Sequence, residues 1–158
     1  MRPFAITLRP FITSDREECS GLFVSNVPMY FAASEFSDFN HFLALPKAQF
    51  LIAEMSDRLV GCSGHYVSDS GVGRLCWGMV HHDHHRQGIG TILLQVRLEA
   101  LFAGQAVAEV GIDTSQQSAA FFERFGFQVV EYRLVTIRGA QLRNARMQRS
   151  SSARGDRT

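Results

Sequence analysis

The feature that most restricts how this chain can fold is a pair of glycines, Gly88 and Gly90, set between a strand-like run and a helix-like one. The first run is Leu75-Cys76-Trp77-Gly78-Met79-Val80, and the second, strongly apolar, goes from Ile92 to Ala103. A short histidine-rich loop lies between Val80 and Gly88. Two glycines spaced by one residue at a helix start let the backbone approach a ligand closely. The first amides of that helix have no partner within it, and its dipole favours negative charge there. Strand, glycine turn and helix N-terminus therefore make an anion site, most often one for phosphate.

Two common phosphate loops do not fit. A Walker-type loop needs Gly-Lys-Ser/Thr at the helix start, whereas Gly90 is followed by Thr91 with no lysine. A dinucleotide fingerprint needs a third glycine where Leu93 stands, and should lie near the first strand. A nucleotide-binding enzyme is thereby disfavoured. The stretch from Met79 to Gly90 resembles instead the acyl-CoA pyrophosphate loop of the GCN5-related N-acetyltransferases, Gln/Arg-x-x-Gly-x-Gly/Ala, with His85 in the usual Gln or Arg position. The resemblance implies that acetyl-CoA is the co-substrate and that its pyrophosphate is held by the backbone from Arg86 through Gln87, Gly88, Ile89 and Gly90 to Thr91. His81 and His85 would lend positive character beside it, and a backbone N–H near Met79 or Val80 would polarise the thioester carbonyl.

A second stretch carries the same resemblance. Asp113-Thr114-Ser115-Gln116-Gln117-Ser118-Ala119-Ala120-Phe121-Phe122-Glu123-Arg124-Phe125-Gly126-Phe127 is similar to the family's Asn-x-x-Ala-x-x-Phe-Tyr-Glu-Lys-x-Gly-Phe segment, where the helix packs along the pantetheine arm. Ser115 stands where asparagine is common and can still hydrogen-bond. Phe122 stands where many members carry a tyrosine that protonates the departing thiolate, and a phenyl ring cannot do that. A CoA thiol titrating near the free-cysteine value of about 8.5 leaves fairly well as the anion, while general acid help is worth roughly 10²–10⁴-fold. A third patch, Ser25-Asn26-Val27-Pro28-Met29-Tyr30-Phe31, resembles the acceptor-lining loop of some bacterial members and singles out Tyr30 and Phe31.

Local patterns give an element order. Ala5–Arg9 alternates like a strand. Thr13-Ser14-Asp15 offers N-caps for a helix to about Val24, and Ser34–Leu43 is a second helix before Pro46. Gln49–Glu54 and Leu59–Val67 form a hairpin around Asp57-Arg58, followed by the central strand. In the helix after Gly90, Ile92, Leu93, Val96, Ala100 and Ala103 form the expected apolar stripe, with Thr91, Gln95 and Glu99 outward. Val107–Asp113 is a strand, Gln116–Phe125 a helix capped by Gly126, and Gln128–Ile137 with Gln141–Gln148 a closing strand pair. This matches the acetyltransferase order and implies an α/β (α+β) fold, with a mixed twisted sheet of six to seven strands and helices on both faces. Residues 1–149 are expected to form one domain, and the Ser/Arg-rich residues 150–158 a disordered basic tail.

Composition narrows the setting. No apolar run reaches membrane-spanning length, and the N-terminus lacks a signal-peptide pattern. Cys19, Cys62 and Cys76 are odd in number and unpaired in spacing, as expected of reduced core residues in a cytoplasmic protein. Six arginines and one acid from Arg138 onward give +5, which leaves −4 on residues 1–137 from the net +1. An acidic body suits cationic amines and suits nucleic acid poorly. The family resemblance also implies a homodimer through the last strands.

Direct transfer needs a base to free the amine from its ammonium form. The strand Leu75–Val80 carries no carboxylate, so Glu54 at its strand end and His65 on the neighbouring strand are the candidates. Glu54 reads equally as a solvated strand end, and His65 as a hydrogen-bonded sheet residue. No metal is expected: His81, His82, His84 and His85 share one short loop without a second ligand cluster. Cys76 has no readable Cys–His–Asp arrangement around it and fits a buried small hydrophobe. The expected function is transfer of acetyl from acetyl-CoA to a primary amine of a small molecule or peptide through a ternary complex. A non-catalytic acyl-CoA sensor on the same fold is the alternative.

Overall fold

In the computed structural model, which describes residues 5–44, 48–137 and 140–151, β1 (Ile6–Pro10) lies antiparallel to β2 (Gln49–Met55), and β2 to β3 (Arg58–Val67). The β2–β3 turn is Ser56-Asp57, with φ of 52° and 61°. Two consecutive left-handed residues are what the tightest hairpin turn requires, and Asp tolerates that conformation. The sequence reading set this turn one residue later. Between β1 and β2 lie α1 (Arg16–Ser25) and α2 (Phe36–Leu43). β4 (Gly73–Val80) leads through the histidine loop into α3 (Ile89–Glu99). β5 (Glu109–Ser115), α4 (Ala119–Glu123), β6 (Gln128–Ile137) and β7 (Ala140–Ser150) complete the order. The strands run β1-β2-β3-β4-β5-β7-β6 in a seven-stranded mixed sheet.

The described residues divide into two compact units. The first contains the chain to His65 together with Trp77–Arg97. Its sheet is covered on both faces, because successive strand residues point to opposite sides. On one side Phe50 packs against Phe39 and Phe42 of α2 at 6.2 and 5.7 Å between ring centroids. On the other, Ala53, Met55 and Val60 cluster with Ile89 and Leu93 of α3. Gly61 shows how closely that helix sits: a Cβ there would lie 3.2 Å from Met79 O and 3.3 Å from Leu93. An aromatic cluster fills the α1–α2 side, with Phe23 stacked on Phe39 and Phe31, and Trp77 against all three.

The second unit contains Tyr66–Cys76 and the chain from Leu98 onward. Gly73–Leu75 pairs in parallel with Val110–Ile112, and Arg74 bridges to Asp113 at 2.9 Å. β5 pairs along its other edge with β7, which pairs with β6. Val110, Ile112, Phe122, Phe127, Ala145 and Met147 are buried here. The ladder reaches Ser150, and Ser151 N–H donates to Ala108 O, so order extends into the segment read as a tail. Residues 152–158 of that tail lie outside the described residues. Among the described residues no helix is long and apolar enough to cross a membrane.

Two helices differ from expectation. The apolar stripe of α3 is turned by about one residue: Ile89, Leu93, Leu94 and Arg97 are buried, while Val96 is exposed. Counting apolar residues alone misses this face because Arg97 lies on it, its buried guanidinium hydrogen-bonded to Leu93 O and Gly64 O. The continuation Ala100–Gly104 is π-helical, with Gln105 N–H donating to Ala100 O at 2.9 Å. The segment expected as one helix from Gln116 to Phe125 is a 3₁₀ turn, Gln116–Ser118, followed by α4 and a turn ended by Gly126 at φ 90°.

Candidate active site

The loop before α3 has the shape that the glycine pattern requires. Arg86 and Gly88 are left-handed, with φ of 64° and 85°, and residues 86–88 are exposed. Gly88 takes that conformation without cost; Arg86 does not, since its Cβ crowds the backbone there. A side-chain-bearing residue held in this region is a strained feature that the surroundings must maintain. Alternating left-handed residues turn successive N–H groups toward one concavity, which is an anion nest. The first α3 bond runs from Ile92 N–H to Gly88 O at 3.1 Å, so the amides before Ile92 have no partner within the helix. Ile89 anchors the helix in the core, and its contribution to any ligand is its backbone.

The end of β4 is held at one peptide from several sides. His81 N–H donates to Val60 O at 2.8 Å, and Val80 O accepts from Asn26 Nδ2 at 3.0 Å and from His85 Nε2 at 2.8 Å. Asn26 is buried at the close of α1, where it also donates to Leu22 O. His82 N–H reaches Ser25 Oγ at 3.3 Å. The His85 ring meets Tyr30 edge-on at 5.4 Å and His82 at 5.3 Å. Thus the imidazole in the place of the usual Gln or Arg is turned to the strand end and to Tyr30. The short reach of His, compared with Gln or Arg, is satisfied by the carbonyl five residues back.

Trp77 lies within β4 with φ 49°, a bulky residue in a left-handed conformation. A bulky residue held there departs from regular strand geometry, two residues before Met79. Its indole is stacked on Phe31 at 5.9 Å. Phe31 and Tyr30, singled out together, therefore serve differently: Phe31 packs on Trp77 and Phe23, while Tyr30 touches His85.

The two residues read as candidate bases have other surroundings. The Glu54 carboxylate receives Arg9 Nε, and the same guanidinium holds Asp15 through two bonds of 2.8 and 2.7 Å. Glu54 is therefore part of a β1–β2 ion network and partly exposed, where the sequence reading set a candidate base against a solvated strand end. His65 is only 6% exposed and faces α3, and its Nδ1 is buried with no partner among the described residues. Burial, reinforced by the charge of Arg97, pushes its pKa below the ordinary imidazole value and keeps it neutral. It lacks the exposure that an incoming amine requires.

In the second unit, Ser115 Oγ pairs with Ser118 Oγ at 3.2 Å at the end of β5. Phe122 is packed between Phe121 and Phe127 at 5.1 and 5.6 Å. Among the described residues no three His, Cys, Asp or Glu side chains are grouped to hold a metal ion. His84 Nδ1 lies 3.4 Å from Gln87 Oε1, and His81 Nδ1 accepts from Asp83 N–H at 3.1 Å, so these imidazoles bond to their own loop.

Residues 16–127 match the sequence model described as the Acetyltransferase (GNAT) family. The chain belongs to that family. By family it is an acetyltransferase. Its fold is similar to a GCN5-related N-acetyltransferase from Rhodopseudomonas palustris, with a TM-score of 0.75 and 23% identity over 95% of this chain and 98% of that one. It is likewise similar to the ribosomal-protein-S18-alanine N-acetyltransferase of Escherichia coli, with TM-score 0.74, 16% identity, and coverage of 98% and 99%. A variant of the spermidine N-acetyltransferase of Vibrio cholerae gives 0.73 at 15% identity, covering 93% of this chain and 94% of that. No curated protein matches the chain by sequence.

Within this GNAT chain, three site features escaped the sequence reading. Asn26 lay inside the quoted patch, and a polar residue at the close of a helix was its only signal. Arg97 was marked by its place four residues after Leu93, on the buried face. The left-handed backbone of Trp77 has no sequence signal, because Trp disfavours it.

Proposed function

We propose that this GNAT protein moves the acetyl group of acetyl-CoA directly to a primary amine of a small molecule or peptide. The carrying observation is the exposed, twice left-handed turn from Arg86 to Gly88 that runs into the N-terminus of α3. In this reading the amides of Arg86 through Thr91 bind the pyrophosphate, and the β4 end near Met79 and Val80 polarises the thioester oxygen. The strained Trp77, two residues before Met79, supports the second role. Tyr30 borders the acceptor. The amine attacks the carbonyl carbon, and the thiolate leaves without a phenol to protonate it.

The reading extends to assembly. β6 ends the strand order, and Val130, Tyr132 and Leu134 are 52%, 45% and 70% exposed on it. Antiparallel pairing of two β6 edges centred on Tyr132 sets Glu131 of one copy against Arg133 of the other. That charge match favours a second copy as the occupant.

The test is turnover of acetyl-CoA with a panel of primary amines, read by mass spectrometry of the acetylated product. An acetylated amine is the expected result. Tight acetyl-CoA binding with no product from any amine would contradict transfer and favour the acyl-CoA sensor, consistent with Phe122 lacking a hydroxyl.

A further inference from the structure

We propose that His85 is the base that takes the proton from the acceptor ammonium, a role that rests on the acetyl-transfer reading above. Three observations carry it. First, its orientation is fixed: Nε2 lies 2.8 Å from Val80 O. A carbonyl oxygen can only accept, so Nε2 bears the hydrogen and Nδ1 presents its lone pair. Second, Nδ1 makes no hydrogen bond among the described residues, and His85 is half-buried. Third, the ring contacts both of the places that the acetyl-transfer reading assigns to the two substrates. It bonds to the last carbonyl of β4, beside the peptides assigned to the thioester, and meets Tyr30 at the acceptor border.

The alternatives are occupied. Glu54 is bound to Arg9, and His65 is closed off under α3. The groups facing His85 are Tyr30 from the segment after α1, His82 from its own loop, and Asn26, which shares the Val80 carbonyl. Asp83 and Arg86 are the charged residues flanking it in sequence. An orienting bond on one ring nitrogen, with the other left open, is the arrangement by which imidazole bases are held in one tautomer.

The step balances. An N–H bond of the ammonium breaks and Nδ1–H forms, giving imidazolium and a neutral amine. The amine lone pair forms the new C–N bond as the thioester carbonyl shifts its electrons to oxygen. Collapse breaks the C–S bond, and the second nitrogen proton ends on the departing sulfur as the CoA thiol. The imidazolium then releases its proton to solvent.

The discriminating variant is His85→Gln, because a glutamine amide still donates to Val80 O but cannot take up a proton near neutral pH. Wild type, His85→Gln and His85→Ala are compared by acetyl-CoA calorimetry and by kcat and KM from about pH 5.5 to 9. One acceptor is a strongly basic alkylamine and the other a weakly basic amine, already neutral at pH 7. His85→Gln is expected to keep acetyl-CoA affinity and to lose roughly 10²–10⁴-fold in kcat with the alkylamine. Its rate should also lose the acid-side fall of the wild type, and the weakly basic amine should restore turnover. Wild-type rate and pH profile in His85→Gln would overturn the assignment. So would loss of acetyl-CoA binding in parallel with rate, which would return His85 to the pyrophosphate loop. A wild type that acetylates neither amine would overturn the transfer reading itself, and this assignment with it.

Discussion

Arg97 places a guanidinium inside the first unit, 3% exposed, with Nη1 on Gly64 O at 3.1 Å and Nε on Leu93 O at 3.2 Å. Gly78 leaves room for it: a Cβ there would lie 3.0 Å from Nη2. Arg97→Met keeps most of the stem volume but removes the donors, leaving a buried strand carbonyl without this partner. An unsatisfied buried acceptor costs roughly 1–3 kcal/mol, so we expect a loss of about 2 kcal/mol in chemical denaturation. An unchanged midpoint would show that Gly64 O finds another donor. Residue identity in the site was only partly legible for this reason. Gly88 could be read because φ of 85° is a demand that glycine meets best, whereas the partners of His85 and Glu54 depend on atoms far away in sequence.

At the scale of elements, the N-terminal strand is fastened by charge. Arg9 on β1 joins Glu54 on β2 to Asp15, whose carboxylate also accepts Ile12 N–H at 2.8 Å at the entrance to α1. The hydrogen-bonded guanidinium of Arg9 holds the Asp15 carboxyl below its ordinary 3.8. A depressed carboxyl pKa contributes stability that is fully present above pH 3.8 and is lost as pH falls through the lower folded value. Asp15→Asn should therefore lower stability at neutral pH by about 2 kcal/mol and flatten the acid limb of a stability–pH curve below pH 4. Parallel curves for variant and wild type would exclude this contribution. His65 adds a dependence of the same sign at higher pH, since its depressed imidazole value means stability falls as pH drops below 6.5. Strand and helix order were legible from periodicity and glycine placement. The π-helical end of α3 and the left-handed backbone of Trp77 within β4 were not, because local propensity encodes neither.

For the whole molecule, the proposed pairing of two β6 edges makes a charge prediction. Glu131 and Arg133 lie 3.1 Å apart within one chain and are half-exposed, so their own bridge adds little to folding. Arg133→Glu should set acids against acids across the edge and give monomers in sedimentation velocity. The exchange Glu131→Arg with Arg133→Glu should restore the dimer. Equal association of all three proteins would place the interface elsewhere. The family was legible because its two motifs are short, local and demanded by backbone geometry. The acceptor was not, because the proposed border at Tyr30 depends on side chains brought together only by the fold.

The central claim is that the turn from Arg86 to Gly88 and the start of α3 bind acetyl-CoA. Its most direct test is calorimetric titration of acetyl-CoA, with ATP and NAD as controls, into wild type and the double variant Gly88→Glu/Gly90→Glu. If the pyrophosphate binds this turn as proposed, carboxylates added at the two glycines would repel it, and circular dichroism establishes that the variant is folded. Binding of acetyl-CoA by wild type, with none of ATP or NAD and none by the folded variant, is the predicted result. Failure of folded wild type to bind acetyl-CoA, or equal binding by the variant, would contradict it.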